Sequence, residues 1–174
     1  DSRENGPDGH YKRSTLAGLY SRFDDEAALG VYAVSDEHVK VVNELIKPNL
    51  AGPPLAMDFM SEGPDLDLKS TTFVHMVVFA LKEETSSEQY QAIEAAAKGI
   101  EAFEGCLSVT LGVNLAFNER NQGFTHGYVS TFDSKESFDN HLAGPEHRVL
   151  MDNLMSHVSD WVAFDFNPQE SFST

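Results

Sequence analysis

Gly123-Phe-Thr-His-Gly-Tyr-Val-Ser-Thr-Phe132, followed by Asp133-Ser-Lys-Glu136 and then Gly144-Pro-Glu-His147, decides how the chain is read. The apolar and β-branched residues that end at Phe132 read as a buried strand. Asp133 and Ser134 each offer a side-chain oxygen to the first backbone N–H groups of a helix. Pro145 opens a further helix in its first turn, where a missing N–H leaves nothing unpaired. Two of the seven histidines, His126 and His147, stand at fixed places in this pattern.

Much of the pattern occurs once before. At an offset of 109, Gly18 falls on Gly127, Ser21 on Ser130, Phe23 on Phe132 and Asp24 on Asp133. Glu37-His38 falls on Glu146-His147 and Leu45 on Leu154 by the same offset. Two extra residues near Pro53-Pro54 change the offset to 107, and Ala56, Asp58 and Phe59 then meet Ala163, Asp165 and Phe166. Matches in order, at equivalent landmarks, mark an internal repeat.

Between the copies, Thr71 to Leu81 reads as a strand, nearly continuous in apolar residues as when both sheet faces are covered. Ser86-Ser-Glu-Gln89 is a capping box, and Tyr90, Ile93, Ala97, Ile100 and Phe103 recur as a helical stripe up to Gly105. Strands follow over Cys106 to Leu115 and Thr125 to Phe132. The second helix from Pro145 is expected to present Leu150, Leu154 and Val158 inward, and Trp161 to Phe166 is the last strand. The order strand, helix, strand, strand, helix, strand predicts an α+β, ferredoxin-like fold: an antiparallel sheet with helices on one, outer, face.

The organisation predicted is a flexible tail over 1–15, a partial first domain over 16–59, a linker over 60–70, a complete second domain over 71–168 and a tail over 169–174. The first copy is read as strands at Leu16–Phe23 and Leu55–Phe59 around helices to about Tyr32 and from Asp36 to Lys47. It starts at the third strand, so about 50 or more upstream residues are expected to supply its other half.

Bulk composition narrows the function. Hydrophobic residues at 41% and charged residues at 23% are ordinary for a globular protein. A net charge of −16 argues against nucleic acid and anionic membrane surfaces as partners. A single cysteine, Cys106, excludes an internal disulfide and reads as a core residue. No run reaches the roughly 20 apolar residues of a membrane span. Phosphate-binding loops, serine-nucleophile elbows and zinc signatures are absent from the sequence.

With these residues laid out, the chain resembles the stress-responsive A/B barrel family, also called the dimeric alpha-beta barrel or Dabb family. The resemblance rests on His75-Met-Val-Val-Phe79, Gly123-Phe-Thr-His126, Ser130-Thr-Phe132, Pro145-Glu-His147 and Phe164-Asp-Phe166. It covers Phe73–Pro168 as a full domain and Leu16–Phe59 as a partial one, like the tandem plant members. It implies a barrel closed by two sheets face to face, here two copies packed as a pseudo-dimer within one chain; a homodimer is the other expectation. It also implies an intracellular protein, with cytosol, plastid and peroxisome all open.

The resemblance carries candidate residues too. One plant member, olivetolic acid cyclase, closes a polyketide ring by aldol condensation without metal or cofactor. Its histidines resemble His147, His126 and His75, the candidates for catalysis. Its assisting tyrosine falls on His141 and a second pocket tyrosine near Ala96, while the first copy keeps Tyr32 and His38 but has Ala17 in place of His126. Tyr128, His141, Tyr32 and His38 are therefore candidates for ligand contact. A histidine of near-neutral pKa can take a carbon-bound proton and return it to oxygen. Each of these histidines also reads as a hydrogen-bonded core residue. His141 and His147, six residues apart, make no convincing metal pair on a helix; no metal and no cofactor are expected.

Three functions are compatible with these residues. The leading one is a stable, non-catalytic stress-response barrel with room for a small hydrophobic ligand. The second is a cofactor-independent cyclase or lyase using histidine acid–base chemistry. The third is a plant defence or antimicrobial protein, for which the acidic charge disfavours membrane disruption.

Overall fold

A computed structural model describes residues 19–60, 67, 70–116 and 120–168. The expected tails at 1–15 and 169–174, the start of the first copy at 16–18, most of the linker and part of the Phe117–Gln122 connection lie outside the described residues.

The complete domain is a four-stranded antiparallel sheet in the order β2-β3-β1-β4. Its strands are β1 (Phe73–Leu81), β2 (Cys106–Val113), β3 (His126–Phe132) and β4 (Val158–Phe166). Because β1 is central, its residues pair on both sides: His75 lies opposite Ser130 and Asp165, and Phe79 opposite His126 and Trp161. Val158, expected on the inner face of the last helix, instead begins β4 and is buried there.

Counting the helices in chain order, α3 (Ser87–Gly99) covers one face of the sheet. Its capping box forms: Gln89 N donates to Ser86 Oγ at 3.3 Å and Ser86 N to Gln89 Oε1 at 2.7 Å. Ile93 and Ala97 point inward, and a short 3-10 turn over Ile100–Ala102 buries Ile100. The chain then reverses at Gly105, whose φ of 86° lies in the left-handed region that glycine alone enters freely. α4 (Lys135–Ala143) is capped by Ser134, which accepts from Ser137 N at 3.0 Å. α5 (Pro145–Leu154) begins on Pro145 without a side-chain cap.

Phe79, Val109 and Tyr128 of the sheet pack against Ala97, Ile100 and Leu150, while Phe73, Phe132 and Phe138 form an adjoining aromatic cluster. Each large side chain buried in this way contributes about 1.5–3 kcal/mol relative to exposure. The opposite face of the sheet is apolar as well, with Val74 beside Phe166 and Met76 beside Phe164. That double apolarity is why β1 reads as a hydrophobic run broken only by His75.

The amino-terminal segment holds α1 (Glu26–Val34), capped by Asp25, and α2 (Asp36–Val41), capped by Ser35. A π turn over Val42–Ile46 and a 3-10 turn over Lys47–Asn49 prolong α2. None of their residues is buried: Val31, Val34 and Leu45 are 72%, 76% and 63% exposed. The strands expected within Leu16–Phe23 and Leu55–Phe59 do not form among the described residues there. A strand exists by pairing, and neither stretch enters a ladder among the described residues.

Residues 56–58 instead find hydrogen bonds beside β2. Ala56 N donates to Arg120 O at 2.9 Å, and Leu115 N donates to Asp58 O at 2.6 Å. The side chains of Met57 and Phe59 sit over Gly112 and Gly127, which pair across β2 and β3. Two opposed glycines leave a notch, and the strap of residues 55–59 fills it.

Candidate functional site

The register of the sheet assembles a histidine layer between sheet and helices. His75 Nδ1 lies 2.6 Å from Asp165 Oδ1, both partly buried. A carboxylate only accepts, so Nδ1 carries the hydrogen and Nε2 is left for other work. Ser130 flanks His75 on the other side. Tyr128, two residues along the same strand face, places its ring 6.1 Å from that of His75.

The helices bring the remaining members. Phe138 of α4 lies 5.1 Å from the His75 ring, and His141, one turn on, meets Phe132 and Phe103, each at 5.4 Å. His147 of α5 stands edge-on to His141 at 5.1 Å. His141 is 2% exposed, and burial, with His147 and then His75 beside it, holds its pKa down to about 4. Burial, then His75, also lowers that of His147. Both imidazoles are therefore neutral at pH 7. Burial pushes the Tyr128 phenol above its ordinary value, only partly countered by the nearby Ser130.

The layer thus unites His75, His147, His141 and Tyr128. His126 is not part of it. It lies opposite Phe79, four residues along β1 from His75, or about 13 Å at the usual strand rise. There it stacks on Phe79 at 5.5 Å and meets Tyr90 at 4.9 Å. Tyr32 and His38 are separate again: their rings meet each other at 4.3 Å, with Phe23 at 5.0 Å from Tyr32.

Sequence reasoning missed Asp165 and Ser130. The signal was available, because Asp165 is one of the residues repeated at the 107 offset, but strand register was needed to place it opposite His75. Among the described residues no group of three or more His, Cys, Asp or Glu is placed to hold a metal ion. No described helix is long and apolar enough to cross a membrane.

An antiparallel sheet in this order, with helices on one face and histidines between, defines a ferredoxin-like α+β domain. The Stress responsive A/B Barrel Domain (Dabb) family matches residues 73–168, more than half of the chain, and the chain belongs to that family. It is similar to two stress-response A/B barrel domain-containing proteins of Arabidopsis thaliana. The first is 26% identical over 148 residues, covering 83% of this chain and 54% of that protein. The second is 25% identical over 155 residues, covering 88% of this chain and 70% of that protein. The chain thus spans about half the length of the first of these relatives.

Solved structures agree on the fold. An Arabidopsis thaliana protein refined as an ensemble superposes with a TM-score of 0.52 at 23% identity, over 59% of this chain and 99% of that one. Hydroxynitrile lyase from Passiflora edulis gives 0.53 at 23% identity, over 59% and 98%. A dimeric ferredoxin-like protein of unknown function from Thermobifida fusca gives 0.52 at 17% identity, over 61% and 99%. At these identities the likeness is one of fold alone.

Proposed function

We propose that this stress-response A/B barrel protein is a stable, non-catalytic barrel that holds one small, mainly hydrophobic ligand in the histidine layer. The observation that carries this reading is a cluster of three buried polar atoms, Tyr128 Oη, Ser130 Oγ and His141 Nδ1, none of which completes a well-aligned hydrogen bond among the described residues, although Tyr128 and Ser130 lie near enough to influence one another. All three belong to residues gathered around His75. A buried polar group left unpaired costs about 1–3 kcal/mol, which a ligand with one polar end offsets. Phe103, Phe132 and Phe138 supply its apolar walls. Phe132 and Phe138, 0% and 2% exposed, close the layer on that side, which favours a small ligand.

A thermal-shift panel of short-chain alcohols and ketones tests the reading. At least one is expected to raise the Tm of the wild type and not that of Ser130→Ala. The same panel without any shift refutes ligand binding.

One observation favours a second, enzymatic reading as a cofactor-independent cyclase or lyase. The His75–Asp165 pair and a neutral His147 resemble an oriented base with a partner. Turnover of linear polyketide thioester products by the wild type, abolished in His147→Ala, would establish that reading over the first. Inactivity of both proteins discards it.

The proposal extends to architecture: residues 16–59 are the second half of a first copy, 60–70 a linker and 71–168 the second copy, packed as a pseudo-dimer. In support, α1 and α4 start and end at an offset of 109, and Asp25 caps one as Ser134 caps the other. The ring series Phe23–Tyr32–His38 repeats Phe132–His141–His147 with similar spacings. The matches to the two Arabidopsis thaliana relatives are longer than the stretch 73–168. A homodimer, as in the Thermobifida fusca protein described as dimeric, is the competing arrangement. Light scattering separates the two.

A further inference from the structure

We propose a second small-molecule site, at the opposite end of the sheet from the histidine layer, for a neutral planar molecule that carries one O–H or N–H donor. The ends of β1 and β3 and the first turns of α3 enclose an open groove of about 500 Å³, bounded by Leu81, Thr85, Tyr90, Glu94, Thr125 and His126. That volume lies within the roughly 300–1,000 Å³ usual for small-molecule sites.

The hydrogen bonds around Thr125 determine what His126 presents. Thr125 Oγ1 accepts from Leu81 N at 3.0 Å, lies 2.7 Å from His126 Nδ1, and donates toward Phe79 O at 3.5 Å. A hydroxyl has one hydrogen and two lone pairs. All three contacts are satisfied together only when His126 Nδ1 carries the ring hydrogen and donates it. Nε2 is then a bare lone pair, and among the described residues the ring's hydrogen bonding is confined to Nδ1. Burial lowers the pKa of His126, which keeps that lone pair free near pH 7.

The walls specify the rest of the ligand. The Phe79 and Tyr90 rings flank His126, and a flat molecule can continue this series of rings. Lys82 also borders the groove, with one of its three ammonium hydrogens given to Ser156 O at 2.8 Å. Glu83 and Glu94 on the rim place negative charge beside the groove, which favours a neutral occupant over an anion. The Thr85 hydroxyl, on a residue of the same wall, is buried and has no hydrogen-bond partner among the described residues. A neutral ring with a hydroxyl donating to His126 Nε2 meets all of these demands.

β-Naphthol, its methyl ether and amide-resolved NMR of the full chain provide the test. β-Naphthol is expected to bind about tenfold tighter than the ether, the weight of one hydrogen bond, with shifts centred on Tyr90, Thr125 and His126. His126→Phe keeps the stacked ring and should erase the preference, whereas His147→Ala should leave it intact. Should His126→Phe not fold, Tyr90→Leu must weaken both ligands alike. Equal affinity of the two probes, no binding of either at roughly 10 mM, or loss of the preference in His147→Ala would each overturn the proposal. The last outcome would place the ligand in the histidine layer, so failure here is distinguishable from failure of the reading above.

Discussion

Gly112→Ala probes whether the strap of residues 55–59 truly seats on the sheet. A β-carbon at Gly112 would lie 2.7 Å from Phe59 Cδ2, 3.0 Å from its Cβ and 3.1 Å from its Cγ. All three are closer than ordinary van der Waals contact, so the ring must move. Forcing an extra methyl into such a contact costs about 1–3 kcal/mol. Working the other way, the backbone at Gly112 has no positive φ, and alanine is better than glycine inside a strand by about 0.5–1 kcal/mol. Gly112→Ala should therefore destabilise the wild type by about 0–2.5 kcal/mol, the difference between these terms. In a Phe59→Ala background the clash with the ring is gone, and the same substitution should be neutral or stabilising. Urea unfolding followed through the single tryptophan, Trp161, measures all four corners of this double-mutant cycle. A coupling of about 1–3 kcal/mol is expected; additivity to within about 0.5 kcal/mol would refute the packing of the strap.

Three other outcomes follow from the same structure. His141 has a folded-state pKa of about 4, below the ordinary 6.5 that it regains on unfolding. The unfolded chain therefore binds more protons between these values, and the stability present above pH 6.5 is lost as pH falls toward 4, by up to about 1.4 kcal/mol per pH unit. Urea midpoints from pH 7 to 5 should fall less steeply in His141→Phe; an unchanged slope contradicts the burial of a neutral imidazole. Asp165→Asn replaces the charged acceptor of His75 Nδ1 and should cost about 1–2 kcal/mol, with a change in the His75 ring proton resonance by NMR. Burial and Glu101 push the Cys106 thiol up to about 11, so roughly one molecule in a thousand is thiolate at pH 8. Its alkylation in the native protein should be slow and should accelerate in urea.

Local signals were readable from the sequence because they act within a few residues. The capping box at Ser86, the proline at the head of α5 and the apolar run of β1 each report a short-range constraint, and each element stands where it was expected. Among the described residues 19–23 and 55–59 the expected strands do not form, for the opposite reason: the apolar pattern is present, but pairing depends on partners far from it in sequence. The site divides along the same line. His75, His141, His147 and Tyr128 converge as their strand and helix faces require. Asp165 stayed unread because only the β1–β4 register sets it against His75, and His126 was grouped with the others although four residues of β1 separate it from them.

An uncovered rim of a sheet invites another polypeptide to add itself, and natural proteins guard such rims. Residues 56–58 lie where β2 runs out, taking up the amide of Leu115 and the carbonyl of Arg120. The strap thereby withholds that corner from intermolecular pairing. Chains lacking residues 53–59 should remain folded in the complete domain yet clump during storage, a colloidal fault that begins with bared main-chain groups and the emptied notch over Gly112 and Gly127.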